Sequence, residues 1–428
     1  MRNTATFPAG NIGLFKQQLI AWAGNFFSAA CFDYNGYTYF NPQREFLAAA
    51  GEIEIMPCYH NYFSSLQKFH SEKKDWVFGF LSYDLKNETE PLVFNKKDQR
   101  HNGINFPIAY FFRPKHIIEI INNQIIVHSV EDPALIYSSI MSTTVELFSS
   151  PKHNGIKNRI TREEYVESVV AIKEHIANGD LYEMNFCQEF YIDEIDVNPP
   201  TLFNALNKIS PAPFACFVKH DSNYLLCSSP ERFLKKDGRK LMSQPMKGTI
   251  ERKESGDDSL QKNKLINDPK ERAENVMIVD LVRNDLARSS VAGSVIVEEL
   301  FGVYSFAQVH QMISTVTSEL QNEIDFSTAI KNAFPMGSMT GAPKVMAMQL
   351  IDNYEKAKRG LFSGSVGFIT PDGDFDFNVV IRSIFYNAST KYLSFQAGGA
   401  ITHDCEPEKE YEECMLKAKA IFKVLTNP

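Results

Sequence analysis

What this chain lacks narrows its possible functions first. No apolar run approaches the length needed to cross a bilayer, and the first residues show no basic-then-apolar leader pattern. Neither a membrane partner nor a secretory route is expected. Basic blocks and arginine-rich stripes are missing too. The 44 Lys and Arg residues are outnumbered by 52 Asp and Glu, for a net charge of −8, which speaks against nucleic acid as the main partner. Cysteines at 31, 58, 187, 216, 227, 405 and 414 are odd in number and include no CxxC spacing. Structural zinc and a full disulfide framework are disfavoured, and reduced thiols in a cytoplasm fit better. There is no GxGxxG, no GxxxxGK[ST] and no internal repeat, so dinucleotide, P-loop and solenoid readings fall away.

What is present suits a globular enzyme. At 428 residues the chain is too long for one ordinary core, and two regions are expected. Residues 1–150 are rich in aromatic and β-branched residues and read as a mostly β region. Within it, His116–Ile121 and Gln124–His128 flank Asn122-Asn123 as a β-hairpin, and Tyr34-Asn35-Gly36-Tyr37 marks another turn. The polar stretch Ser149–Asn158 is a candidate linker. Residues 151–428 form the second region, expected to hold the chemistry. It opens on a helix: Thr161 and Glu164 form a capping box, and Tyr165, Val169, Ile172 and Ile176 recur at helical spacing before Asn178-Gly179. Strands and helices then alternate irregularly, which predicts an α+β fold with a large antiparallel sheet.

Several segments carry chemistry. In Pro245-Met246-Lys247-Gly248-Thr249 a lysine sits where no helix can continue, so its amine projects from a turn or strand end. Inside a closed pocket such a lysine can lose its proton and become a nucleophile; on a surface it would be an ordinary solvated charge. Asp268-Pro269 reads as a helix start that sets Glu271 and Glu274 on one face. Glu406-Pro407 starts another helix, with Glu410, Glu413 and Lys417 on one face and Tyr411, Met415, Ala418 and Phe422 opposite. Taken singly these are solvated acidic faces. Brought together, four carboxylates need a cation, and hard oxygen donors suit Mg²⁺. Pro335–Lys344 is a glycine-rich turn entering a helix whose free N–H groups can hold an anion. Ala397-Gly398-Gly399-Ala400, following a strand over Leu393–Gln396, would let a ligand approach bare backbone. Each glycine run reads equally well as a plain tight turn. Arg382 falls in Val379–Ser383, which reads as a buried strand, so it needs a partner such as a substrate carboxylate.

Together these segments resemble the chorismate-utilising enzymes, the family of the anthranilate, aminodeoxychorismate, isochorismate and salicylate synthases. The motifs are Gly179-Asp180-Leu181-Tyr182-Glu183-Met184-Asn185, Ser229-Pro230-Glu231-Arg232-Phe233, Lys270-Glu271-Arg272-Ala273-Glu274-Asn275, Ile278–Asp285, Thr340-Gly341-Ala342-Pro343-Lys344 and the Glu410/Glu413 helix. They run from about Thr161 to the end of the chain; earlier, only Gly79–Asp84 resembles the family. The resemblance implies antiparallel sheets forming a sandwich-like core flanked by helices. It also implies Mg²⁺ held by Glu274 and Glu413, with Glu271 and Glu410 acting through water. Substrate carboxylates would be held by Arg382, the Gly398 and Gly399 amides and Lys417, with Thr249 and Thr340 in the same binding set. Glu231 would be the general acid for a departing hydroxyl, and Lys247, taken as a neutral amine, would attack C2 of chorismate.

Lysine at 247 resembles the aminodeoxychorismate-forming branch, where anthranilate synthases carry alanine. That implies amination of chorismate to 4-amino-4-deoxychorismate, on the route to p-aminobenzoate and folate. Ammonia would come from a glutamine amidotransferase subunit, because no Gly-x-Cys-x-Gly nucleophile segment is present. Gln311 stands where relatives have the histidine tied to pyruvate elimination, in keeping with that branch. Phe362 replaces a frequent tyrosine, and Ala397–Ala400 departs from the usual Ala-Gly-Ala-Gly. The alternatives are anthranilate synthesis and a non-catalytic chorismate-binding subunit.

Overall fold

A computed structural model describes all residues except 1, 38, 40–43, 58–59, 91–99, 253–257, 308 and 427–428, so Cys58 lies outside the described residues. The helix after the candidate linker spans Arg162–Ala177. Its N-terminus is closed reciprocally: the Thr161 hydroxyl accepts from the Glu164 amide at 3.2 Å, and the Glu164 carboxylate accepts from the Thr161 amide at 2.7 Å. Tyr165, Val169, Ile172 and Ile176 form its buried face. The Asn122-Asn123 hairpin also forms. Strand Ala109–Ile121 pairs with Gln124–Ser129, and both asparagines take left-handed backbone, φ 49° and 59°.

Among the described residues, twenty strands link into one sheet, and every strand pair is antiparallel. Residues before and after 150 share it: Ser28–Asp33 pairs with Phe214–His220, and Val77–Leu81 pairs with Ser365–Ile369. Strand alternation divides the core in two. Ala30 and Phe32, with Leu47 and Ala49 of the next strand, face a cluster containing Phe78, Phe111, Leu234, Val366 and Phe377 from other strands. Ala29 and Cys31, with Phe46, Ala48 and Ala50, face a second cluster with Phe15, Leu19, Tyr165, Leu202 and Ala418 from helices. Sheet packs on sheet in the first cluster, which helices Tyr62–Glu72, Pro269–Ala287 and Phe326–Ala333 also enter, and helices cover strands in the second, an α+β sandwich. Each fully buried phenylalanine here contributes about 2 kcal/mol of apolar burial. No described helix is long and apolar enough to cross a membrane.

Two local expectations are corrected. Ala397–Ala400 does not follow a strand; it lies inside one, Tyr392–Thr402, paired along its length with Glu183–Ile192. Arg382 is not within a strand. It falls between strands Phe375–Val379 and Ser383–Asn387, at φ 51°, where the chain must turn from one pairing to the next. The apolar run Val379-Val380-Ile381 concealed that break.

Candidate active site

Hairpin register brings Glu231 and Lys247 together. Strands Arg232–Asp237 and Lys240–Gln244 pair with Arg232 opposite Gln244, so the residues flanking both outer ends share one end of the hairpin. Glu231 precedes the first strand, and Lys247 lies in the following strand, Met246–Glu251. Both line a cavity of about 550 Å³. Only 4% of Glu231 and 9% of Lys247 are exposed.

Burial raises the Glu231 carboxyl to about 7, against the opposing pull of the Ser338 hydroxyl, Lys247 and Arg382. The Ser338 hydroxyl donates to its Oε1 at 2.5 Å. Ser338 is itself fixed, because its carbonyl accepts from the Asn185 side chain at 2.8 Å. Beneath this floor the buried Arg359 donates to the Met339 and Asn185 carbonyls, at 2.6 and 3.1 Å, and pairs with Glu355 at 2.7 Å. The Glu355 carboxylate also accepts from the Cys187 amide at 3.0 Å.

Lys247 departs from the expected neutral amine. Burial works to strip its proton, but Glu183, Glu274 and Glu413 outweigh burial and hold the ammonium well above its ordinary range. Its Nζ donates to Glu183 Oε1 at 2.6 Å. Glu183 is fully buried, and its Oε2 finds no hydrogen-bond partner among the described residues. The resting lysine is therefore an ammonium in a carboxylate pair.

The four other acids also reach this cavity. Asp268 caps helix Pro269–Ala287 by accepting from the Lys270 and Glu271 amides, which presents Glu271 and Glu274. Helix Pro407–Thr426 presents Glu410 and Glu413. Burial, then mutual repulsion, raises Glu271 and Glu410 to about 7. Glu274 is also raised, chiefly by burial. Glu413 is lowered, because Lys417 stands 2.7 Å away. Lys270 bridges the two helices, 3.8 Å from Glu274 and 3.6 Å from Glu410.

The remaining expected residues divide. Thr249, Arg382, Gly398 and Lys417 line the cavity. Burial lowers Arg382 to about 10, opposed by Glu231, and its guanidinium reaches Gln311 Oε1 at 3.4 Å. Gln311 in turn donates to the Gly248 carbonyl at 2.7 Å, tying Arg382 to the lysine turn. Lys417 donates to the Gly398 carbonyl at 3.0 Å. Gly399 faces the acidic cluster: a Cβ there would stand 3.0 Å from Glu410 Oε2 and 3.9 Å from Glu413 Oε1. Thr340 is fully buried and is not among the cavity-lining residues. Its hydroxyl donates to the Met336 carbonyl at 3.1 Å and is used up inside its own turn. The helix beyond that turn is held by Lys344, whose ammonium pairs with Asp285 at 2.7 Å.

Residues 24–423 match the family described as chorismate binding enzyme. The chain belongs to that family. It is 40% identical over 274 residues to aminodeoxychorismate synthase component 1 of Escherichia coli, an alignment covering 63% of this chain and 59% of that relative's length. Among solved structures it resembles anthranilate synthase component I from Streptococcus pneumoniae, with TM-score 0.70 and 25% identity over 80% of this chain and 79% of the other. It also shares its fold with the menaquinone-specific isochorismate synthase from Escherichia coli, with TM-score 0.76 and 17% identity over 100% and 95% of the two chains.

For a chorismate binding enzyme the acidic helices raise the question of a metal. Among the described residues no three acidic, thiol or imidazole groups converge as a ready ligand set. The donor chemistry nevertheless fits a hard divalent cation: Glu271, Glu274 and Glu410 are each raised by burial, and Gly399 leaves open room beside Glu410 and Glu413. Lys270 spans the gap between the helices. Sequence reasoning assigned no role to Glu183, Asn185, Ser338, Glu355 or Arg359. A signal existed for the first: Glu183 opens a strand whose first eight residues are all buried, and a buried carboxylate needs a partner.

Proposed function

We propose that this chain aminates chorismate at C4, giving 4-amino-4-deoxychorismate, with ammonia delivered by a separate glutamine amidotransferase subunit. The observation that carries the reading is Lys247, a buried amine on the wall of a cavity that it shares with Glu231, a carboxyl poised near neutrality. The 40% identical relative from Escherichia coli carries the name aminodeoxychorismate synthase component 1, and a component is a chain that works with another. The product belongs on the route to p-aminobenzoate and folate. A cytoplasmic setting accords with the six described cysteines, all buried free thiols.

Mg²⁺, held by Glu274 and Glu413 with Glu271 and Glu410 behind water, would neutralise the ring carboxylate of chorismate. Arg382 and Lys417 line the same cavity and would orient carboxylates. Glu231 gives its proton to the C4 hydroxyl, which leaves as water. The Lys247 amine, once it has shed a proton, bonds to C2 with its lone pair. The two ring double bonds shift and the C4–O bond breaks. Ammonia then bonds to C4 and gives its surplus proton to the Glu231 carboxylate, the double bonds return, and the C2–N bond to lysine breaks. Ser338 aims Glu231 throughout, and Gln311 links Arg382 to the turn that carries Lys247.

The test is product identity. Chorismate with Mg²⁺ and an ammonium salt should give the mass of 4-amino-4-deoxychorismate, and p-aminobenzoate only after a lyase is added. Fluorescent anthranilate would instead favour the second reading, that of the 25% identical anthranilate synthase. Chorismate binding without any product would leave a non-catalytic subunit.

A further inference from the structure

Lys247 cannot attack as an ammonium, and the charges around it hold it in that state. Glu183 on the 183–192 strand, Glu274 on the 269–287 helix and Glu413 on the 407–426 helix keep the proton on it, Glu231 adds its attraction when ionised, the Lys417 ammonium opposes them, and Glu271 and Arg382 line the same cavity. Among the described acids, only Glu183 makes a hydrogen bond to the amine, at 2.6 Å. It is also fully buried, is not among the cavity-lining residues, and retains an oxygen with no hydrogen-bond partner among the described residues. A carboxylate buried behind the amine, with one oxygen on it and the other still open, is placed to receive what the amine gives up.

We propose that Glu183 is the positioning residue and resident proton acceptor of Lys247, receiving the ammonium proton as the amine is committed to C2. The N–H bond of Lys247 breaks and an O–H bond forms on Glu183, leaving both groups neutral. The freed lone pair then makes the C2–N bond as the C4–O bond breaks, with Glu231 supplying the proton of the departing water. When ammonia displaces lysine, the amine leaves neutral and regains its proton from Glu183. Placed behind the lysine, away from the cavity wall, Glu183 never touches the ring. It acts through Lys247 alone, so its substitution should reach kcat and leave KM nearly untouched.

This inference rests on Lys247 being the nucleophile. The experiment follows formation of the chorismate–Lys247 adduct by mass spectrometry, without ammonia, from about pH 7 to 9. Wild-type enzyme, with an internal acceptor, should form the adduct at a rate set by Glu231, falling about tenfold per pH unit above pH 7 as that acid ionises. Glu183→Gln keeps the shape and the hydrogen-bond acceptor but cannot take the proton. It should lose about a hundredfold in rate near pH 7.5, and the deficit should shrink about tenfold per pH unit as hydroxide takes over, which leaves its own profile nearly flat, with KM within about threefold of wild type. Glu183→Asp keeps an acid and should restore the falling profile at a lower rate. A wild-type rate that stays flat or climbs between pH 7 and 9 overturns the proposal, and this needs no variant to fold. Glu183→Gln forming adduct at the wild-type rate, or losing rate equally at every pH, also overturns it while leaving Lys247 as nucleophile. No adduct in wild type defeats the functional reading and this inference together.

Discussion

Gly398 and Gly399 stand side by side, yet the structure gives them different work. At Gly398 an added Cβ would sit 2.0 Å from the Phe186 carbonyl oxygen and 2.6 Å from the Cys187 Cα, both backbone atoms of the paired strand. Such a clash cannot be relieved by rotating a side chain, so Gly398→Ala must push apart strands that pair over ten residues. Overpacking of this kind costs about 1–3 kcal/mol, and more where only backbone can yield. At Gly399 the nearest atom, 3.0 Å from the added Cβ, is Glu410 Oε2, the mobile end of a side chain. Gly399→Ala should therefore cost well under about 1 kcal/mol in stability while displacing a carboxylate of the acidic cluster. Thermal melting and Mg²⁺ titration of both variants separate the two effects. Gly398→Ala should lower the melting temperature by several degrees, and Gly399→Ala should melt like wild type but bind Mg²⁺ more weakly. Equal melting temperatures for the two variants would refute the assignment of Gly398 to strand packing.

Three further outcomes are expected. Glu231 has a folded pKa of about 7, above its unfolded value, so its acid form is lost as pH rises through 7. kcat/KM should fall above that pH, and the stability from burying the neutral acid, about 3 kcal/mol, should fade as pH climbs from the unfolded value to 7; Glu231→Gln should remove that slope in denaturant titrations. Lys344→Met would strand Asp285, which is 5% exposed, without the ammonium now 2.7 Å away, and should cost roughly 3–5 kcal/mol in urea unfolding, with Asp285→Asn costing less. Chelation should abolish turnover, and Glu274→Gln or Glu413→Gln should cut kcat/KM by roughly a hundredfold or more with the melting temperature retained, whereas full activity in excess EDTA would remove the metal from the account.

The parts of this molecule that were legible in its sequence are those governed by near neighbours. The Thr161–Glu164 cap, the Asn122-Asn123 turn and the Asp268 cap each depend on residues within four positions, and each forms. Glu231 and Lys247 meet because one hairpin closes the stretch between them. Arg382 was misread since an apolar run resembles a strand whether or not the backbone turns within it. Thr340 lies in a motif shared with relatives, but its hydroxyl is spent on its own turn. The charge of Lys247 was beyond local reading: it depends on Glu183, 64 positions away and brought near by the sheet. The same holds for Lys270, whose place between two acidic helices no single segment reveals.

Everything in the proposed chemistry turns on Lys247, and trapping it is the direct measurement. Wild-type enzyme and Lys247→Ala would each be incubated with chorismate and Mg²⁺ in the absence of ammonia, quenched, digested and read by mass spectrometry. The account predicts a mass increase on the wild-type peptide that contains Lys247, none in Lys247→Ala, and release of the adduct as 4-amino-4-deoxychorismate when ammonium is added. An unmodified Lys247 peptide from enzyme shown to be active would contradict it and reduce the lysine to an electrostatic role.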